Sequence, residues 1–265
     1  MSIGAKTLEG KVALVTGSGR GMGAAIVLKY ASHGADVVIN YHSSADAAEH
    51  IAETARSCGV RAICVKRDVS KAEDIKHLFE DAKKEFGKID IVYSNSGIEH
   101  FDEVDKVTVE AFDKVFAINV RGQFLVAQQA YEHLSNDGRL ILMSSISAVW
   151  GLPRHAIYAA SKAAITGMVK CLAWDFGKRN ITVNCIAPGG IKTDMYTEAA
   201  KDYFPGGDQM SEEEIDKTIS GTAPLGRPGY PDDIAGLAAL IASPEAKWMT
   251  GQTFHCSGGA YMGTA

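Results

Sequence analysis

Two hydrophobic periods alternate along the chain. Short apolar runs rich in β-branched residues lie at 11–16 (KVALVT), 35–40 (ADVVIN), 61–65 (RAICV), 89–94 (IDIVYS), 138–144 (GRLILMS) and 181–188 (ITVNCIAP). Between them, near 21–32, 44–57, 71–86, 109–134 and 156–178, the patterning is helical. Runs that are apolar almost throughout suit strands covered on both faces, the environment of a parallel sheet. Strand–helix alternation with right-handed crossovers predicts an α/β fold over residues 1–265: a single-domain, Rossmann-type, doubly wound parallel sheet of about seven strands with helices on both faces. Ser70 followed by Glu73 predicts a capping box at the third helix.

The rhythm stops between about 191 and 230, where the chain carries Gly-Gly, two neighbouring aromatics and late prolines. A long interruption in a compact domain is expected to be a lid or binding loop, here near 193–225. A helix at 232–242 and a strand at 251–256 complete the pattern.

Composition narrows the function classes. A chain that is 46% hydrophobic and 22% charged has the balance of a soluble globular protein with a large core. Its net charge of −5 argues against nucleic acid or an anionic membrane as partner. Cys58, Cys64, Cys171, Cys185 and Cys256 are scattered and odd in number, so reduced thiols, a cytoplasmic location and no metal site are expected. The opening MSIGAKTLEGK lacks the apolar core of a signal peptide, and no apolar stretch is long enough to span a bilayer.

The first strand runs into TGSGRGMGAAI, with glycines at 17, 19, 21 and 23. Glycines there allow a tight turn, close backbone approach to a pyrophosphate and a helix whose N–H groups face the anion. The spacing fits T-G-x-x-x-G-x-G, Met22 standing where G-x-G-x-x-G puts its third glycine. The second strand then ends in Asn40, Tyr41, His42, Ser43 and Ser44, with no carboxylate for the ribose hydroxyls of NAD. Arg20 and the serine hydroxyls suit a 2′-phosphate instead, which favours NADPH/NADP+.

Four residues then suggest chemistry. Ser145 falls just beyond the fifth strand, on the rim where open α/β sheets place their sites. Tyr158 and Lys162 follow on one face of a helix, one turn apart, and Asn119 is a polar residue within an apolar helical face. Each alone also reads as a turn hydroxyl, a helix surface or a satisfied core group. Together, behind a dinucleotide loop, they read as a site.

These elements resemble the short-chain dehydrogenase/reductases. The resemblance rests on TGSGRGMG, Asp68-Val69, SNSG (94–97), Asn119, Ser145, Tyr158-x-x-x-Lys162 and APGGIKTDM (187–195), in the family's order. It implies that Tyr158 is the general acid/base, that Ser145 binds the substrate oxygen, that Lys162 holds the nicotinamide ribose and that Asn119 supports a proton path. It implies nucleotide contacts for Gly17, Arg20, Gly21, Met22, Gly23, Asn40, Tyr41, Ser43, Asp68, Val69, Asn95, Gly97, Tyr158, Lys162, Pro188, Gly189, Ile191 and Thr193, and a homotetramer. A cationic Lys162 near the phenol is expected to lower its pKa.

Within that family the chain is most similar to the fungal polyhydroxynaphthalene and anthrol reductases, through INYHSS, PRHAIYAASKAAI, YFPGG and GGAYM. The substrate implied is a planar aromatic polyketide reduced through its keto tautomer, with Tyr203 over its ring and Trp150, His155 and Gly190 beside Ser145 and Tyr158. A lid end reading GTAPLG and a terminal Gly-Thr-Ala depart from some naphthol reductases and imply a wider pocket. A dehydrogenase of a steroid, sugar or acyl ketone would share every catalytic residue.

Overall fold

In a computed structural model, residues 6–203 and 206–263 are described. The opening MSIGA, Phe204 and Pro205 of the YFPGG stretch, and the last two residues, Thr264 and Ala265, lie outside them. Seven strands form one parallel sheet: β1 (Val12–Val15), β2 (Asp36–Tyr41), β3 (Ala62–Lys66), β4 (Ile89–Ser94), β5 (Leu134–Met143), β6 (Thr182–Pro188) and β7 (Thr253–Cys256). Their order is β3-β2-β1-β4-β5-β6-β7. The fold is a single-domain Rossmann α/β sandwich.

Alternation along the strands decides which helices each face receives. Ala13, Val15, Val37, Ile39, Ile91 and Tyr93 face α1 (Gly21–Ser32), α2 (Ala45–Ser57) and α9 (Pro231–Ala242), meeting Ile26, Tyr30, Ala52 and Ile234. Leu14, Val38, Val92, Leu140, Leu142 and Val183 face α3 (Ala72–Phe86), α5 (Gln123–His133) and α6 (Ala156–Gly177), meeting Phe79, Val126, Ile165 and Phe176. Each such Val, Leu, Ile or Phe stabilises the fold by roughly 1.5–3 kcal/mol when fully buried.

Three local features depart from the sequence expectation. The helix expected over 109–134 is α4 (Val109–Phe116) and α5 joined by a wide, π-type turn at Ala117–Gly122 that contains Asn119. The Ser70–Glu73 box does not form: Lys71 precedes α3, and the Ser70 hydroxyl donates to Asp68 Oδ1 at 2.7 Å. Asp74 instead accepts from the Asp68 N–H at 2.8 Å, so this turn is stitched further upstream. The lid is helical, comprising α7 (Asp194–Tyr203) and α8 (Glu212–Ser220). Ser211 and Glu214 cap α8 reciprocally, and Tyr196, Met210, Ile215 and Ile219 give the lid a small core of its own.

The glycine loop has no slack. Gly17 and Gly21 have φ of +59° and +58°, in the left-handed region that disfavours a side chain. A Cβ on Gly23 would lie 2.5 Å from Gly17 O and 2.8 Å from Ser18 Cα, so α1 abuts the loop only because that residue is bare. Gly23→Ala is therefore expected to destabilise the fold by about 1–3 kcal/mol through overpacking. A chemical-denaturation midpoint equal to wild type would show that the loop yields without cost.

Candidate active site

At the carboxyl ends of the strands a cavity of about 780 Å³ opens, bounded by the loops after β1 to β6 and by the lid. A site beyond the carboxyl ends of the strands, where the order reverses between β1 and β4, is the position open α/β sheets favour. One half of the cavity is built from backbone. α1 has no side-chain cap and no acid in its first turn, so its N–H groups face the cavity unopposed. Asn95 donates to Gly17 O at 3.0 Å, while its buried Oδ1 has no donor. A positive-φ glycine loop, an uncapped helix start and an orphaned acceptor fit a dinucleotide's phosphates and ribose. Gly17, Arg20, Gly21, Met22, Tyr41, Ser43, Asp68, Val69, Asn95 and Gly97 all line this half, as do Pro188, Gly189, Ile191 and Thr193 towards the lid.

Two of the expected nucleotide contacts have other duties. Asn40 reaches the cavity wall, but its buried amide accepts from Gly17 N at 3.1 Å and donates to the Val65 and Arg67 carbonyls at 3.2 and 3.1 Å. It fixes the loop. Gly23 does not line the cavity; it lies behind the loop, where its bareness lets α1 pack. Arg20 does line it, with Nη1 3.1 Å from Asp194 Oδ2 at the start of the lid. Both side chains are about two-thirds exposed, so this pair holds the lid only weakly.

In the other half, Ser145, Tyr158 and Lys162 converge. The start of α6 turns Tyr158 and Lys162 inward, with Lys162 Nζ 5.5 Å from the phenol ring centre. The ammonium donates to the Met143 carbonyl at the end of β5, at 3.2 Å. Gly97 leaves room for it: a Cβ there would lie 3.2 Å from Nζ. Ser145 Oγ accepts from the Ser147 N–H at 3.1 Å and hydrogen-bonds Tyr158. Trp150, Gly190 and Tyr203 line this half with Leu152, Tyr196 and Ile219.

Asn119 and His155 are not at the wall. Asn119 is fully buried; it accepts from Ile98 N and donates to Ile98 O, both at 2.9 Å, and donates to Ser161 Oγ at 3.1 Å. It positions the loop after β4. His155 is buried behind Tyr158, its ring stacked on Phe101 at 4.2 Å and tilted against Tyr158 at 4.4 Å.

Comparison with known proteins fits this architecture. The profile of a family described as enoyl-(acyl carrier protein) reductase matches residues 17–261. The chain is a short-chain dehydrogenase/reductase. It is 47% identical to elsinochrome reductase 1 of Elsinoe fawcettii, over 96% of each chain. It is 46% identical to trihydroxynaphthalene reductase PfmaI of Pestalotiopsis fici, over 99% of this chain and 93% of that one. Among solved structures it resembles a short-chain dehydrogenase of Burkholderia cenocepacia in complex with NADP, with a TM-score of 0.87, 34% identity and 96% and 99% of the two chains covered. This short-chain dehydrogenase/reductase is thus an oxidoreductase acting on CH–OH and C=O groups.

Sequence reasoning passed over one group of the site. Glu99, two residues beyond Gly97, lies in the cavity wall and accepts from Tyr203 Oη at 3.0 Å, while its buried Oε2 has no partner. Burial lifts its pKa to about 7, against the Tyr203 hydrogen bond and the Lys162 charge. Burial also lowers His155 to about 4 and Lys162 to about 8. Tyr158 is pushed well above its ordinary value by burial, then by Glu99, with the Ser145 hydrogen bond opposing. The expected lowering by Lys162 therefore does not emerge, because desolvation of the phenolate dominates.

The raised Glu99 value has a consequence for stability. Between its unfolded value of 4.5 and about 7 the folded chain holds the extra proton, so this group's contribution falls as pH rises through that window. Glu99→Gln removes it. Wild type should lose roughly 1–3 kcal/mol relative to Glu99→Gln between pH 4.5 and 8. Denaturation of both proteins at each pH checks this, and parallel pH curves would contradict it.

Proposed function

We propose that this reductase uses NADPH to reduce the keto tautomer of a planar aromatic polyketide of the polyhydroxynaphthalene or anthrahydroquinone type. One observation carries the reading: Ser145, Tyr158 and Lys162 meet where a backbone cradle suited to a dinucleotide opens into an aromatic- and apolar-lined half under a lid. When bound, the nucleotide supplies the hydride. Tyr158, kept protonated by burial, gives its proton to the substrate oxygen, and Ser145 donates to the same oxygen as charge develops. Lys162 has one proton on Met143 O and two left, for the ribose and the nascent phenolate. The names of the aromatic polyketide reductases it resembles support the substrate class. So does the angucycline C-6 ketoreductase LanV, solved with bound NADP, at 33% identity over 97% of this chain and 98% of that one with a TM-score of 0.87.

Five unpaired cysteines suit the cytoplasm, and no helix among the described residues is long and apolar enough to cross a membrane. Exposed Phe112, Phe124 and Trp174 on α4, α5 and α6 support the homotetramer that the family resemblance implies.

For the nucleotide, Arg20→Ala should raise the KM for NADPH at least about tenfold, the loss of one charge-assisted contact, and leave that for NADH within about twofold. Equal effects on both nucleotides, or equal wild-type affinity for them, would refute the 2′-phosphate assignment. For the chemistry, Tyr158→Phe should lower kcat by at least about a thousandfold on every substrate while leaving NADPH affinity nearly intact, since the hydroxyl acts mainly in the transition state. Hydroxynaphthoquinones and reduced anthraquinones should be turned over by wild type in preference to small aliphatic ketones and steroids. A better aliphatic or steroid substrate would sink the aromatic assignment but not the catalytic one.

A further inference from the structure

Tyr203 is the last residue of α7, and the end of that helix is tied to the body at two consecutive positions. Asp202 pairs with Arg154 at 3.0 Å, a contact both partners make while more than a third exposed. The second tie is the Glu99–Tyr203 hydrogen bond, and it is shielded. Around it the Tyr203 ring stands edge-on to Phe101, 4.7 Å between centres, and His155 Nε2 lies 3.5 Å from the Tyr203 oxygen. His155 Nδ1 faces the His100 carbonyl at 3.1 Å, which accepts only, so Nδ1 carries the ring's proton and Nε2 is bare. Tyr203 thus has the Glu99 carboxyl and the His155 imidazole within reach, beside a hydrogen bond with Ser147. Through His155 the cluster also touches the ring of Tyr158.

Glu99 does little for the fold itself. A buried carboxyl with no ion pair among the described residues, only the more distant Lys162 charge, and one oxygen lacking any donor, opposes folding. A group that costs stability and sits in the cavity wall is expected to serve the site. Resting on the substrate reading above, we infer that Glu99 is a positioning and specificity-determining residue: its carboxyl latches the lid through the Tyr203 hydroxyl and so fixes the tyrosine ring as the wall against which a flat aromatic substrate lies. The latch comes before the acid/base step, although the Glu99 charge also reaches Tyr158. It acts on ring position, and therefore on which substrates are held, before any proton moves.

The test is a double-mutant cycle on the NADP+-loaded full chain, with 2-hydroxy-1,4-naphthoquinone as a flat probe whose binding is followed by protein fluorescence. Glu99→Val and Tyr203→Phe should each weaken binding roughly five- to tenfold, the scale of one lost hydrogen bond. The double variant should be no weaker than Tyr203→Phe by more than about twofold, because that single already removes the Glu99 contact. Glu99→Gln, whose amide can both accept from and donate to Tyr203, should stay within about threefold of wild type. The melting temperature of Glu99→Val should be unchanged or higher. Limited proteolysis within 194–220 should quicken equally in Glu99→Val, Tyr203→Phe and the double variant. Multiplying effects, a Glu99→Gln as impaired as Glu99→Val, or a lower melting temperature that accounts for the binding loss would each overturn the inference. A coupled cycle on a probe that is bound yet never reduced would leave the latch standing and remove the substrate reading. Reduction of flat aromatics with an additive cycle would do the reverse. Should Glu99→Val fold poorly, Glu99→Gln against Tyr203→Phe makes the same comparison, because only the second breaks the latch.

Discussion

A buried ammonium organises this active site. Lys162 is 2% exposed and, among the described residues, has no carboxylate within ion-pairing distance, so its charge is met by the Met143 carbonyl and the more distant Glu99, in room that Gly97 leaves. Taking a cation out of water is costly unless the surrounding dipoles are fixed in advance. Each dipole near Lys162 is fixed. Gln123 grips Met143 from both sides, donating to its carbonyl and accepting from its N–H at 2.9 Å each. Ser144 donates to the Lys162 carbonyl at 2.9 Å, and Asn119 clamps Ile98 beside Gly97. The wide turn at Ala117–Gly122 is where the helical chain between β4 and β5 gives up regular spacing, and it carries Asn119 with its amide on the loop after β4. The ends of β4 and β5 are thus held to the start of α6 by polar groups around one charge.

The same economy runs through the nucleotide half, where backbone rather than side chain shapes the surface. Thr16 accepts from the N–H groups of Asn95 and Ser96 at 3.0 and 3.2 Å, tying the end of β1 to the end of β4. Asn40 adds a tie from β2 to Gly17. The glycine loop is therefore positioned by three strands at once, and α1 presses on it through Gly23. A surface built this way presents N–H groups at fixed positions, and binding costs little further ordering.

Much of this was legible along the chain, for a physical reason. Strands covered on both faces leave long apolar runs, and β1 to β7 fall within a few residues of those runs. Glycines that must be bare stand out, as does a tyrosine one turn before a lysine. What the chain concealed depends on partners distant in sequence. Asn40 and Asn119 read as groups that would meet a ligand or a proton path, but their amides are spent on backbone brought to them by neighbouring strands. His155 read as a pocket residue because it precedes α6, yet Phe101 and Tyr158 enclose it. The lid concealed two helices because its apolar positions are few and its core is local, with Tyr196 donating to Asp216 at 2.8 Å and Lys192 bridging Asp216 and Glu212. Glu99 gave no local signal at all. An acid after SNSG looks like a solvated loop charge, and its burial depends on a tyrosine 104 residues later.

The two halves of the cavity thus answer to different constraints. Around the nucleotide, nearly every atom that shapes the surface also supports the junction of β1, β2 and β4, so change there is felt by the fold. In the half beside Ser145 and Tyr158, Trp150, Leu152, Tyr196, Tyr203 and Ile219 reach in from the lid and one loop, and none belongs to either apolar core of the sheet. Their replacement would reshape the pocket and leave the buried ammonium and its dipoles untouched. Relatives named for elsinochrome and trihydroxynaphthalene share close to half of this sequence over nearly its full length. The lid and loop side chains of that half stand outside the network that holds Lys162, so the lining can change while the catalytic frame is kept.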